Sequence, residues 1–273
     1  MQVHHTDDAH RAARESAPFL HTDPVAHNVL LTVLAERQAA PAPGHYWWVR
    51  DADEVIGFAM QSPRTYAVGL APADDEVIAA LVHAVRDSSD QVPGVVGNAA
   101  PAAHFAGRWT ELTSTGARPT EGQRLCVLET TPSADPIDAH PATMADLELV
   151  IDWLSAFSAE TGMDPPAQPG HAATTMIESG RLQLSWLDER PVAMARATPA
   201  VAGVSRIGWV YTPPSDRGRG HATQLVRHVS AQELAGDTER CVLYTQLSNP
   251  TSNAIYLRIG YRPVAEVLSY TFD

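Results

Sequence analysis

Apolar positions in the second half of the chain switch repeatedly between two periods. From Thr143 onward, Leu147, Val150, Ile151, Leu154 and Phe157 recur at helical spacing, with Thr143 placed to cap the helix. A second short helix is predicted within residues 171–180. "RLQLSWL", the turn "DER" and "PVAMARAT" then read as a hairpin, and "SRIGWVYT" as a third strand. A helix follows at residues 221–235, with Ala222, Leu225, Val226 and Val229 on one face. "RCVLYTQL" returns as a strand, "NPTSNAIYLRIG" as a short helix, and "YRPVAEVLSYTF" closes as a strand. The predicted order is two helices, three strands, helix, strand, helix, strand.

The first half can be laid over the same order. "NVLLTVLAERQ" predicts a helix, "HYWWVRD" and "EVIGFAMQSP" a hairpin, and "TYAVGLA" a third strand. "DDEVIAALVHAVRD" is an amphipathic helix, "GVVGN" a strand, "PAAHFAGRWTEL" a helix and "QRLCVLET" a last strand. Between the halves, residues 129–142 are rich in Pro, Ser, Thr and Asp and follow neither period, which places a linker near residues 130–136. The expectation is a duplicated α/β (α+β) chain with domains at residues 1–132 and 133–273.

Composition narrows the chemistry. In 273 residues, 44% are apolar, enough for a sizeable core. The formal charge is −13, and all 19 basic residues are arginine. With no lysine there is no Schiff-base or phosphate-loop lysine chemistry. The lysine-free, alanine- and proline-rich usage points to a GC-rich bacterial genome. An acidic surface repels phosphate backbones, so nucleic acid is not the expected partner; a cationic partner such as an amine suits it better. Cys126 and Cys241 each sit alone in a strand-like run and read as buried free thiols. The histidines, among them His4, His5 and His10, show no ligand spacing, so no metal is expected. With no signal segment and no long apolar run, a cytoplasmic protein without membrane partners is expected, as a monomer or homodimer.

One corner stands out, "WVYTPPSDRGRGHATQLV", residues 209–226. Pro213 and Pro214 end the strand ladder, because neither can donate to it. The helix that follows begins with unpaired N–H groups and a partial positive charge. Glycine lets an anion approach that backbone, and arginine bonds phosphate oxygens. Arg217, Gly218, Arg219, Gly220 and His221 thus read as an anion cradle. It is not a phosphate loop, which needs lysine. It is not a dinucleotide fingerprint either, because Thr223 stands where Gly or Ala is required. The segment "NPTSNAIYLRIGY" has a physical logic of its own. Asn249 suits a cap, Pro250 the first helical position and Gly260 the stop. Asn249, Ser252 and Tyr256 share one face, and Ile255 and Ile259 mark the buried side.

Arg-x-x-Gly-x-Ala at residues 217–222, directly after "VYTPP", resembles the pyrophosphate motif of the GCN5-related N-acetyltransferase (GNAT) family. "NPTSNAIYLRIGY" resembles that family's late Asn-x-x-Ser…Tyr…Gly-Tyr segment, and the two motifs stand in the family's order. The resemblance covers about residues 137–273 and implies tandem GNAT-like domains of bacterial type, each a mixed, mostly antiparallel sheet flanked by helices. It implies acetyl-CoA as co-substrate and a small-molecule or peptide amine as acceptor. The backbone of Val210, Tyr211 and Thr212 would hold the pantetheine arm, and the amide of Val210 would steady the oxyanion. Arg217, Gly218, Arg219, Gly220, His221 and Ala222 would hold the pyrophosphate. Asn249 and Ser252 would line the coenzyme's other side, with Tyr256 as general acid. Many relatives carry an acid on the strand before the cradle, but "SRIGWVY" has none, so Glu160 and Asp164 are the candidates for a base. In the first half the equivalent corner is "PADDE", where Asp74, Asp75 and Glu76 suit a helix start but repel pyrophosphate. A degenerate first half is expected, with "YWW" at residues 46–48 packing in its core or lining the acceptor pocket. The rival readings are a non-catalytic coenzyme-binding sensor or scaffold, and transfer of a longer acyl group.

Overall fold

A computed structural model describes residues 1–163 and 165–273. In chain order the elements are β1 (Gln2–Thr6), α1 (Ala9–Leu20), α2 (Asn28–Ala39), β2 (His45–Asp51), β3 (Glu54–Gln61), β4 (Val68–Leu70) and α3 (Asp75–Ser88). There follow β5 (Gly94–Asn98), α4 (Ala99–Thr113), β6 (Ala117–Pro119), β7 (Gln123–Leu128), β8 (Ala139–Pro141), α5 (Leu147–Thr161) and α6 (Pro169–Glu178). The last are β9 (Leu182–Leu187), β10 (Arg190–Ala197), β11 (Val204–Tyr211), α7 (His221–Leu234), β12 (Arg240–Gln246), α8 (Pro250–Ile259) and β13 (Arg262–Phe272). None of the described helices is long and apolar enough to cross a membrane.

The chain forms two compact units. The first is Met1–Cys126 with Tyr244–Asn253 and Pro263–Asp273; the second is Val127–Leu243 with Ala254–Arg262. In the first unit the strands run β1-β2-β3-β4-β5-β13, antiparallel except for the parallel pair β4 and β5. The chain's final strand therefore belongs to this sheet, with Val267 opposite Asn98 and Thr271 opposite Gly94. Trp47, Ile78, Leu81, Val85, Val95 and Phe105 centre its core, and Tyr270 and Phe272 pack on it. Tyr46, Trp47 and Trp48 are all buried, so the aromatic triplet is packing material.

In the second unit the order is β12-β11-β10-β9-β8, again antiparallel except for the pair β11 and β12. Helix α5 is entered through a capping box, in which Thr143 N–H donates to the Asp146 carboxylate at 2.8 Å. It buries Val150, Trp153 and Leu154, and α6 buries Ala173, Met176 and Ile177, against Leu182, Leu184, Met194 and Tyr211. Helix α7 buries Leu225, Val226, Val229 and Ser230. Each unit thus repeats one scheme of antiparallel strands, one parallel pair and flanking helices. That is the tandem α/β architecture expected from the sequence.

Four elements lie outside the sequence expectation: β1, α1, β6 and β8. Strand β1 has a single valine to mark it, and its stability comes from pairing with β2 and from stacking His4 on Trp48 and His5 on Trp47. Helix α1 carries an internal Pro18, which interrupts the helical pattern.

Candidate functional site

The corner that the sequence singles out lies in the second unit, and its backbone departs from regularity on both sides. Between β10 and β11, Met194 faces Tyr211 but Arg196 faces Gly208, so β11 carries an extra residue there. Within that bulge Trp209 takes a left-handed φ of 52°. The parallel ladder from β11 to β12 covers residues 204–206 and 240–242, and β11 runs on to Tyr211 past its end. Val210 therefore lies in the bulge, Tyr211 resumes pairing opposite Met194, and Thr212 follows the end of the strand.

The chain then turns through residues Pro214–Asp216 into α7. Gly218 and Gly220 both have positive φ, 75° and 87°, and a β-carbon on either would meet nothing within 4 Å. The left-handed backbone, rather than crowding, requires glycine here, and the space about both is open. Gly220 is the N-cap of α7, and no side chain caps the helix. Two polar atoms here, Thr212 Oγ1 and His221 Nε2, are buried without a hydrogen-bond partner among the described residues. An anion with several acceptor oxygens suits such a helix start.

The two arginines of the cradle are held differently. Arg217 donates from Nη2 to both carboxylate oxygens of Glu160, each at 2.6 Å, and from Nε to the carbonyl of Thr212 at 2.9 Å. Its guanidinium carbon also lies 5.8 Å from the centre of the Tyr211 ring. The expectation assigns Arg217 to pyrophosphate and Glu160 to proton abstraction; in the structure each is the other's partner. Such a half-exposed ion pair contributes about 0–1 kcal/mol. Arg219 has a looser contact, with Nη1 3.7 Å from Asp216. Asp164, the other base candidate, lies outside the described residues.

Asn249 and Ser252 fall in the first unit and Tyr256 in the second. Asn249 caps α8, its Oδ1 accepting from the Ser252 N–H at 3.0 Å. Half-buried Tyr256 meets Tyr261 edge to face, with ring centres 6.1 Å apart, and the Tyr261 hydroxyl lies 2.8 Å from Ser230 Oγ of α7.

Two residues escaped the sequence reading. Asp216 is 1% exposed and Arg190 grips it with both terminal nitrogens, at 2.6 and 2.9 Å. The only local signal was an acid directly before the cradle arginine, which reads as an ordinary turn residue. Its partner lies 26 positions upstream, beyond the reach of local pattern.

The corresponding corner of the first unit is built otherwise. Helix α3 starts at Asp74 with Asp75 and Glu76 in its first turn, and Asp75 Oδ1 lies 2.8 Å from His104 Nδ1. The β4 and β5 strands stay paired, and a β-carbon on Gly97 would come within 3.0 Å of the Leu70 side chain. The two cysteines are free and buried, and burial pushes both thiols up, Cys241 to about 12.

Residues 187–268 match the family described as FR47-like protein. The fold is shared with an acetyltransferase of the GNAT family from Colwellia psychrerythraea, at 11% identity and a TM-score of 0.63, over 100% of both chains. A GCN5-related N-acetyltransferase from Sphaerobacter thermophilus is similar at 16% identity and 0.62, over 98% of this chain and 94% of that one. A tandem GNAT protein from the clavulanic acid biosynthesis pathway is similar at 12% identity and 0.57, over 99% and 98%. No curated protein matches the chain in sequence. Residues 187–268 thus resemble the FR47-like family, and the whole chain shares its fold with GNAT acetyltransferases, a tandem one among them.

Proposed function

We propose that the second unit binds acetyl-CoA and transfers its acetyl group to a primary or secondary amine of a small molecule or peptide. One observation carries this reading: at the end of a single strand, a bulge and an early end to the parallel ladder lead into a two-glycine helix start with open space around it. The residues fit the coenzyme. Backbone N–H groups of residues 218–222 suit pyrophosphate oxygens, Arg219 adds charge, and the orphaned Thr212 hydroxyl is a polar partner beside the strand end.

The coenzyme supplies an acyl group already activated as a thioester. Every other task falls to the chain. Tyr211 and Thr212 offer strand-end backbone groups to the pantetheine arm. The N–H of Val210 donates to the carbonyl oxygen as negative charge builds on it. Tyr256 holds on its Oη the proton that the departing sulfur needs, an effect worth about 10²-fold because a thiol is a good leaving group. Asn249, by capping α8, steadies the helix that carries Tyr256. The first unit, with its acidic helix start and closed strand pair, takes no coenzyme in this reading and gives one active site per chain.

A second reading, a coenzyme-binding protein without turnover, is favoured by the absence of an acid on β11 and by the pairing of Glu160 with Arg217. Thiol release from acetyl-CoA across a panel of amines separates the two. Turnover with at least one amine is expected, with kcat lowered about 10- to 100-fold in Tyr256→Phe and KM for acetyl-CoA little changed. Tight CoA binding with no turnover for any amine establishes the second reading instead.

A further inference from the structure

Beneath the glycine corner sits a carboxylate that the proposed transfer does not use. Asp216 closes the turn Pro214–Asp216 and is almost wholly buried. Arg190, reaching from β10, donates to Oδ1 at 2.6 Å and to Oδ2 at 2.9 Å; Ser215 Oγ donates to Oδ2 at 2.9 Å. Arg219 Nη1 stands 3.7 Å from Oδ1. The hydrogen bonds from Arg190 hold the carboxyl well below the usual carboxylate range, against the opposing effect of burial. The turn itself has two backbone bonds, Asp216 N–H to Pro213 at 2.9 Å and Arg217 N–H to Pro214 at 3.4 Å.

A buried acid is costly unless it is paired, and Arg190 supplies that pairing here. Its placement is telling: a negative charge lies directly under a corner suited to anions. By charge alone it opposes binding; the Arg190 fork offsets that charge and at the same time fixes the carboxylate in the turn. We propose that Asp216, clamped by Arg190, is a positioning residue for the coenzyme's pyrophosphate. It fixes the turn that presents Gly218 and Gly220 and keeps the Arg219 guanidinium beside the start of α7. The inference rests on the coenzyme-binding reading of this unit.

Charge and geometry make opposite predictions for Asp216→Asn. Removing the charge leaves Arg190 and Arg219 uncompensated, and Coulomb attraction alone then tightens CoA binding. Loss of the two-pronged clamp loosens it, because an amide offers one acceptor and sets its NH₂ against the second arginine nitrogen. The control is Arg181→Gln, which breaks another arginine–carboxylate pair of this unit, in which Arg181 Nη1 donates to both oxygens of Glu233.

The experiment is calorimetric titration of the full-length protein and both variants with CoA, with Tm measured alongside. For Asp216→Asn we expect Kd to rise about 10-fold. Arg181→Gln is expected to lose Tm without that rise. In turnover, Asp216→Asn is expected to raise KM for acetyl-CoA and leave kcat within about 2-fold. Tighter or unchanged CoA binding by Asp216→Asn overturns the proposal. So does an equal rise in Kd in Arg181→Gln at equal loss of Tm, which reports general destabilisation. If the wild type itself takes up no CoA, the coenzyme reading falls, and this inference with it.

Discussion

Trp209 holds a left-handed φ of 52° inside a strand, a conformation that costs a bulky residue about 1–3 kcal/mol. Contact with the ring of Phe157 from α5, 5.0 Å between centres, helps to hold it there. The preceding Gly208 keeps its ladder position opposite Arg196, and it is Trp209 that takes the left-handed conformation. Asp216 makes a complementary point about charge. Its folded pKa lies below the unfolded value of about 3.9, so its contribution to stability is complete above that value. That contribution fades as pH falls through the folded pKa. Chemical denaturation of wild type and Asp216→Asn is expected to show a stability gap that is constant from pH 7 to about 4.5 and shrinks below about 4. A gap that grows on acidification contradicts the pairing with Arg190.

Among elements, the contrast between α7 and α3 carries the functional assignment. Both follow the third strand of their unit's predicted order, yet one begins with two positive-φ glycines and the other with Asp74, Asp75 and Glu76. Gly220→Glu combines backbone strain with a negative charge at the helix start. It is expected to weaken CoA binding by more than about 100-fold in calorimetry. Replacing Asp74, Asp75 and Glu76 by their amides is expected to leave Kd within about 2-fold; an equal loss there sinks the one-site assignment. Strand β13 gives the second prediction at this scale. Ending the chain after Arg262 strips β5 of one of its two partners, leaving β4, and removes Tyr270 and Phe272 from the first unit's core. Hydrogen exchange is expected to speed up across β5 and the β2–β3 hairpin, while α5 and α6 keep their protection. Unchanged protection in β5 refutes that dependence.

Across the whole molecule, most helices and strands were legible because their apolar periods are local: the face of α5 and the run of α7 follow from residues a few positions apart. The glycine corner was legible for the same reason, since the left-handed backbone at Gly218 and Gly220 is a demand that residue type answers directly. Strand β1 and helix α1 were not, because a histidine-rich edge strand and a proline-bearing helix draw their stability from neighbours rather than from pattern. The sequence by itself thus determined the tandem α/β scheme and the two-glycine helix start at residues 218–220. Only the tertiary structure decided that β13 completes the first unit's sheet, that β11 bulges at Trp209, that Arg217 meets Glu160, and that Arg190 clamps Asp216. The physical reason is common to all four. Ladder bonds are made by backbone groups that every residue but proline carries, and an ion pair spanning 26 or 57 positions is chosen by packing, which leaves no mark in local order.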